Sequence, residues 1–172
     1  MAQDQGRDRK RKILVGASAL AAGLMVLTAF EAHAAEPAAP QPDYHPSLAD
    51  IMTMAVQPRH TKLGVAGRAR DWPYLAYEAR ELRGAFNRVV RTVPTFNKTD
   101  MADMVAANMK DPLDQIDAAI KARNGAAFDA AYAKITNACN VCHKGLDKEF
   151  VVIRAPVASP YADQSFAPAR PR

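Results

Sequence analysis

The two cysteines of this 172-residue chain lie three residues apart, at Cys139 and Cys142, and a histidine, His143, follows the second directly. The alanine-rich residues before Cys139 favour a helix. Each helical residue turns the chain by about 100°, so the three side chains would point into one sector of its surface. This spacing is that of the C-x-x-C-H attachment site for c-type haem. The motif therefore predicts a helix that faces a haem.

In this interpretation Cys139 and Cys142 hold the two haem vinyl groups as thioethers, and the imidazole of His143 binds iron from the proximal side. A thioredoxin-like redox pair is less favoured, because it needs a strand–helix–strand setting. Structural zinc needs four ligands, and the other histidines lie far upstream. A disulfide between residues three apart on one helix would be strained. One covalent haem c is therefore the cofactor that we expect.

The N-terminal segment has the order of a secretory signal. Residues 7–12 form a basic run, residues 13–30 are apolar and uncharged, and Ala32-His33-Ala34 follows. This order predicts that residues 1–34 are a signal peptide, cleaved after Ala34, and that the protein is located in the periplasm. The alternative is an uncleaved anchor, because the apolar run is long enough to span a bilayer. Membrane contact is expected only in that case.

The mature chain divides into three parts by composition. Residues 35–46 are proline-rich and predict a linker. Residues 47–150 have helical periodicity and are long enough for one domain with a single core. Residues 151–172 contain four prolines and no helical period, but their apolar side chains predict that part of this tail packs on the helices. Basic and acidic residues alternate along the predicted helices, so nucleic-acid binding is not expected.

Apolar residues at helical spacing predict four helices in the central part. Their predicted extents are Ser47 to about Ala66, Asp71 to Thr92, Asp111 to Arg123, and Ala126 through the cysteine motif. A separate short helix is predicted over residues 101–109. Pro58 predicts a kink or a break in the first helix, and Gly64 and Gly67 are expected to weaken it. Asn124-Gly125 predicts a left-handed turn that closes the third helix.

Four helices with C-x-x-C-H in the last one, close to the C-terminus, resemble the class II c-type cytochromes, the cytochrome c′ and cytochrome c556 group. The resemblance covers roughly residues 47–150, and CNVCH at residues 139–143 is its specific motif. It implies an all-α fold, an antiparallel four-helix bundle with covalently bound haem c in the last helix, followed here by an extended C-terminal tail. Members of this group often dimerise through the first two helices, so a homodimer is one expectation.

The resemblance also implies that the second axial ligand of the iron comes from the first helix. Cytochrome c556-like members place a methionine there and transfer electrons, whereas cytochrome c′-like members place an apolar side chain there and leave the site open to small gases. The candidates in this sequence are Met52, Met54 and His60. We favour Met52, which lies on the apolar stripe near the ligand position of the family. Core packing is the alternative role for each methionine.

Arg59 lies about two turns beyond Met52. An arginine at this place could pair with a haem propionate through charge-assisted hydrogen bonds. A solvent-exposed arginine is the alternative interpretation.

These expectations describe a periplasmic mono-haem cytochrome that carries single electrons between redox partner proteins of unknown identity. A cytochrome c′-like protein that binds NO or CO at an open site is the first alternative, and peroxidase-like catalysis is the second. No nucleophile–base motif, second metal cluster or phosphate-binding loop is recognisable in the sequence, so we do not expect an enzyme.

Overall fold

A computed structural model describes residues 43–168 of the chain. The predicted signal peptide and most of the predicted linker lie outside the described residues. The described part is mostly helical, which is compatible with the all-α class. Its elements are α1 (Leu48–Ile51), a π-helical segment (Met52–Val56), α2 (Gln57–Ala69), α3 (Trp72–Thr92), β1 (Thr95–Phe96), β2 (Thr99–Asp100), α4 (Met101–Lys121) and α5 (Gly125–Gly145).

The first helical stretch begins where the sequence predicts. The hydroxyl of Ser47 accepts a hydrogen bond from the Asp50 N–H at 3.1 Å, and the Asp50 carboxylate accepts one from the Ser47 N–H at 2.9 Å. This reciprocal capping box satisfies two of the backbone donors that a helix N-terminus leaves free. Residue 47 is therefore the N-cap, and α1 starts at Leu48.

The interruption expected at Pro58 takes the form of a π-helical turn. Gln57 donates its backbone N–H to the carbonyl of Met52, five residues earlier, instead of to the residue four earlier. Proline has no N–H to donate, and its ring clashes with the carbonyl four residues before it. The π-helical turn directly before Pro58 is wider than an α-helical turn, and it makes room for the proline ring. α1, the π-helical segment and α2 therefore follow one another without a loop.

Gly64 and Gly67 do not weaken α2, and that expectation was wrong. The helix runs through both glycines to Ala69. A Cβ atom at Gly64 would overlap the ring of Tyr132, and one at Gly67 would overlap the ring of Phe128. Both rings belong to α5, so the two glycines allow the aromatic side chains of α5 to approach the backbone of α2. Packing between helices outweighs the low helix propensity of glycine here.

The two helices predicted on either side of Asp111-Pro112 are one helix, α4, so the predicted restart was wrong. Pro112 lies inside the helix, where a proline costs about 3 kcal/mol. Fully burying a leucine, isoleucine or methionine side chain stabilises the fold by about 1.5–3 kcal/mol. The buried stripe of α4 lies on both sides of the proline and outweighs that cost. Its buried side chains are Met101, Met109, Leu113, Ile116, Ala119 and Ile120.

The turn between α4 and α5 is shifted by one residue from the prediction. Arg123 has the left-handed conformation, with φ of 49°. Asn124 is the N-cap of α5, because its side-chain oxygen accepts the Ala127 N–H at 3.0 Å. Gly125 is the first residue of α5. The asparagine therefore begins the next helix instead of closing the previous one.

The long helices pack around one apolar cluster. α2 contacts α3 and α5, α3 contacts α4, and α4 contacts α5. β1 and β2 form a two-residue antiparallel ladder between α3 and α4, in which Thr95 is paired with Asp100. No helix within residues 43–168 combines the length and apolar character needed to span a membrane.

The tail after α5 has no helix or strand within the described residues, yet it packs on the helices. Phe166 is buried, with its ring centroid 5.6 Å from that of Tyr74. Gln164 donates a 2.7 Å hydrogen bond to the Tyr74 hydroxyl. Arg68 of α2 donates to the backbone carbonyl of Pro156. The tail is therefore anchored to both α2 and α3.

We expect Gly67→Ala to lower the free energy of unfolding by about 1–3 kcal/mol, the range for overpacking a close contact, because the added methyl group would meet the Phe128 ring. The matched control is Gly84→Ala in α3, where nothing lies within 4 Å of the added Cβ. That variant should gain about 0.5–1 kcal/mol from helix propensity. Urea unfolding measures both changes, and equal stability of the two variants would contradict the proposed role of Gly67.

Candidate functional site

A cavity of about 320 Å³ lies among α1, the π-helical segment, the start of α2, α3, β1, α4, α5 and the tail. Its wall is mainly apolar. The wall also contains side chains that can bind a metal through sulfur or nitrogen, or can form a thioether bond to a cofactor. These are Met52, His60, Met101, Met104, Met109, Cys139, Cys142 and His143. The structure therefore brings the three residues of the cysteine motif together with two of the three candidates from the first helix.

The cysteine motif lies on the last two turns of α5. Cys139 is buried, while Cys142 and His143 are partly buried. The two thiols are free and do not form a disulfide. Cys139 continues the buried ridge of Phe128, Tyr132 and Ile135, so the packing that buries this ridge also turns the motif into the cavity.

Burial keeps both thiols protonated. Desolvation raises the pKa of Cys139 to about 12 and that of Cys142 to about 11. Cysteines of thiol–disulfide oxidoreductases have lowered pKa values, since the thiolate is the reactive form. The environment of Cys139 and Cys142 therefore disfavours the thioredoxin-like alternative.

His143 is held in one tautomer by the tail. Its Nδ1 lies 2.6 Å from the backbone carbonyl oxygen of Val151. A carbonyl oxygen only accepts, so Nδ1 carries a proton, and in the neutral ring Nε2 then keeps its lone pair. Within residues 43–168 no hydrogen-bond partner is found for Nε2. Metal-binding histidines commonly donate their second ring N–H to a backbone carbonyl in this way.

The three ligand candidates of the first helix have different surroundings. Met52 is partly buried and lines the cavity. Met54 is 63% exposed and does not line it. His60 is 3% exposed and lines the cavity. The π-helical segment contains both methionines.

Both ring nitrogens of His60 are engaged. The Thr136 hydroxyl donates to the backbone carbonyl of Tyr132 at 3.0 Å, so it accepts from Nε2–H of His60 at 2.9 Å. The Tyr132 hydroxyl lies 3.0 Å from the His60 carbonyl oxygen and 3.3 Å from Nδ1. Burial lowers the pKa of His60 to about 4. The ring is therefore neutral at neutral pH and is held by α5.

Sequence reasoning missed three methionines of α4 as cavity residues. Met101, Met104 and Met109 line the cavity, and the Met104 sulfur accepts from the Asn108 amide at 3.3 Å. All three lie within the separate short helix that the sequence predicts over residues 101–109, and that helix was given no role at the haem site. The spacing of three and eight residues from Met101 is the signal that could have found it.

Arg59 does not line the cavity. Its guanidinium binds both carboxylate oxygens of Glu78 at 3.2 Å. Glu78 is fully buried and also accepts from the Tyr74 hydroxyl at 2.7 Å. Since a buried carboxylate needs a partner, Arg59 has a structural role here. This placement gives no support to a propionate contact.

Residues 43–168 contain no group of three or more His, Cys, Asp or Glu side chains that could hold a bare metal ion. The cavity offers a different donor set, with two thiols, one imidazole with a free Nε2, and thioethers in apolar surroundings. Haem c is attached through two thiols, binds an imidazole through its iron and needs an apolar wall. The side chains of the cavity therefore fit this group chemically.

Comparison of this protein with protein-family models, with curated proteins and with solved structures finds no match.

We expect acid to destabilise the fold through His60. The unfolded imidazole takes up a proton below its usual pKa of 6.5, whereas the buried ring does so only near 4. His60 therefore contributes stability above pH 6.5 that is lost as the pH falls toward 4, about 3 kcal/mol over this window at 1.36 kcal/mol per unit. Urea unfolding at pH 7 and pH 4 should show a smaller loss in His60→Gln than in wild type. The control is His45→Gln at an exposed histidine, which should lose as much unfolding free energy between pH 7 and pH 4 as wild type. Equal losses in all three proteins would refute the role of His60 in the acid sensitivity.

Proposed function

We propose that this protein is an exported, periplasmic mono-haem c-type cytochrome of the class II kind that carries single electrons. Cys139 and Cys142 would hold the haem, and His143 would bind its iron. In this proposal the long helices form the antiparallel up-down four-helix bundle of the class. The observation that carries it is the convergence of these three side chains with Met52 on one mainly apolar cavity.

Haem c, when bound, supplies a one-electron Fe(III)/Fe(II) couple. The chain's own residues would bind, orient and enclose it. The two cysteines fix it at two points of α5, and His143 presents Nε2 from the adjacent position. Phe86, Phe96 and other apolar side chains of the wall exclude water. Solvent exclusion and axial ligation are two of the means by which a protein sets a haem potential.

Met52 is the side chain that we propose as the second iron ligand. It lines the cavity, whereas Met54 is exposed. His60 lines the cavity as well, but its Nε2–H donates to Thr136 and its Nδ1 faces the Tyr132 hydroxyl. A methionine sulfur raises the potential of a haem relative to a second histidine, which suits an electron carrier.

The cellular setting is part of the same proposal. Attachment of haem c follows export, and residues 1–34 have the order of a cleavable export signal. The partners would be redox proteins that exchange one electron at a time. Self-association as a homodimer, which the class resemblance implies, belongs to the proposal too.

Covalent attachment is the first test. Expressed with a c-type haem maturation system, the full chain should gain the mass of one haem and show the haemochrome spectrum of two thioether bonds. Cys139→Ala combined with Cys142→Ala should lose the covalent haem, because both thiols are absent. Val141→Ala, an exposed position between the cysteines, should retain it. A full chain that is exported and folded without haem would refute the proposed function.

The second test identifies the iron ligand. Met52→Leu should convert low-spin, six-coordinate iron into high-spin iron, because leucine cannot bind it. Met54→Leu makes the same change on the exposed side of the π-helical segment and should leave the spectrum unchanged. Optical and electron paramagnetic resonance spectra of both oxidation states measure the spin. Met52 would be refuted as the ligand if only Met54→Leu changed the spin state of the iron, or if neither variant changed it.

A gas-binding protein is the second candidate function. It is favoured by the apolar character of the cavity wall, to which Val56 and Val105 belong as well as Met52, because an apolar distal side would leave iron open to CO or NO. Carbon monoxide mixed with the reduced protein distinguishes the two functions. Fast binding to wild type supports the gas-binding function, whereas binding that becomes fast only in Met52→Leu supports the electron carrier.

A further inference from the structure

The chain turns back on itself directly after α5. α5 ends at Gly145, and Lys148 donates its backbone N–H to the His143 carbonyl at 2.8 Å. Asp147 has the left-handed conformation, with φ of 57°, that such helix-closing turns require. The reversal brings residues 151–153 beside the turn of α5 that carries the cysteines.

Asn140 holds this returning segment through two reciprocal hydrogen bonds. Its side-chain oxygen accepts the Ile153 N–H at 2.8 Å, and its side-chain nitrogen donates to the Ile153 carbonyl at 2.8 Å. The same nitrogen donates to the Thr136 carbonyl at 3.1 Å. The amide thus pairs with the backbone of the segment as a neighbouring strand would. Within the described part of the chain, the segment has no strand partner of its own.

The side chains that precede Ile153 give this segment little apolar anchorage near His143, whereas Ile153 itself packs against the apolar cluster. Phe150 is 75% exposed, Val151 is 42% exposed and Val152 is 70% exposed. The Val151 carbonyl nevertheless lies 2.6 Å from Nδ1 of His143. Two contacts hold the backbone at this place. The Val151 N–H donates to the Lys148 carbonyl at 2.9 Å, and Asn140 holds the backbone two residues further on.

We propose that Asn140 is a positioning residue for the iron-binding imidazole. By holding residues 151–153, it keeps the Val151 carbonyl on the Nδ1–H of His143, which fixes the ring tautomer and orientation. This inference rests on the proposed function. A strong hydrogen bond from Nδ1–H raises the basicity of Nε2, and a more basic ligand favours Fe(III) over Fe(II). Asn140 therefore lowers the midpoint potential from a position that the C-x-x-C-H motif leaves unspecified.

The test compares haem-loaded full-length wild type with Asn140→Leu and with Asn137→Leu. Asn137 is an exposed asparagine of α5 three residues before Asn140, so it controls for the substitution itself. Asn140→Leu should keep its covalent haem and raise the midpoint potential. We expect a change of roughly tenfold in the Fe(III)/Fe(II) ratio, the low end for partners of metal ligands, or about 59 mV for one electron. In Asn140→Leu the His143 Nδ1 proton should also exchange faster with solvent, as measured by nuclear magnetic resonance. Asn137→Leu should change neither quantity.

Wild-type potential and proton exchange in a haem-loaded Asn140→Leu would overturn the inference and leave the proposed function standing. If Asn140→Leu does not accumulate, Asn140→Ala takes its place, because it removes the same amide without adding bulk. A wild-type midpoint potential and wild-type exchange of the His143 Nδ1 proton in that variant would likewise overturn the inference. Failure of both variants to accumulate, while Asn137→Leu does, would show that the amide serves the fold alone and would also overturn the inference. A wild-type chain without covalent haem would instead refute the proposed function on which the inference rests.

Discussion

The contact between α2 and α5 is the constraint on which the rest of the structure depends. Gly64 and Gly67 lie one turn apart on α2, and the rings of Tyr132 and Phe128, one turn apart on α5, occupy the space that a Cβ at either glycine would need. Close-packed interiors do not tolerate such overlaps. The two glycines therefore set how far α5 can slide or rotate on α2, and Cys139 follows on the same ridge.

Two buried polar clusters reinforce the packing of α2, one of them on α5 and the other on α3. The His60 ring stacks on Tyr132 with centroids 4.9 Å apart and bonds to Thr136, so α2 and α5 are joined by polar as well as apolar contacts. Glu78 joins α3 to α2 through Arg59. Within residues 43–168 no buried side-chain nitrogen or oxygen lacks a hydrogen-bond partner. Removing the partner of a buried charge typically costs about 3–5 kcal/mol, so the Arg59–Glu78 pair penalises arrangements that separate α2 from α3. Separating α2 from α5 would leave the neutral His60 ring without its hydrogen bonds.

The tail connects the packing to the chemistry of the cavity. At one end its backbone is held by Asn140 and accepts from His143. At the other end Phe166 packs on Tyr74, which bonds to Glu78. One end of the tail therefore contacts His143, which lines the cavity, and the other end contacts Tyr74, which donates to Glu78 of the buried ion pair. A proline-rich segment that could not build a core alone is in this way part of the domain.

The sequence alone determined the local features. The spacing of Cys139, Cys142 and His143 placed them on one helix face, Ser47 and Asp71 began helices as expected, and the apolar stripe of α5 was correct. Each of these follows from chemistry within a few residues, namely helical periodicity and capping. Tertiary structure decided the rest. Pro112 stays inside α4 because distant side chains bury the helix on both sides of it, and Gly67 is helical because Phe128 packs on it. The exposure of Met54, the bonds of His60 and the pairing of Arg59 with Glu78 likewise depend on residues far away in the chain, which no local pattern specifies.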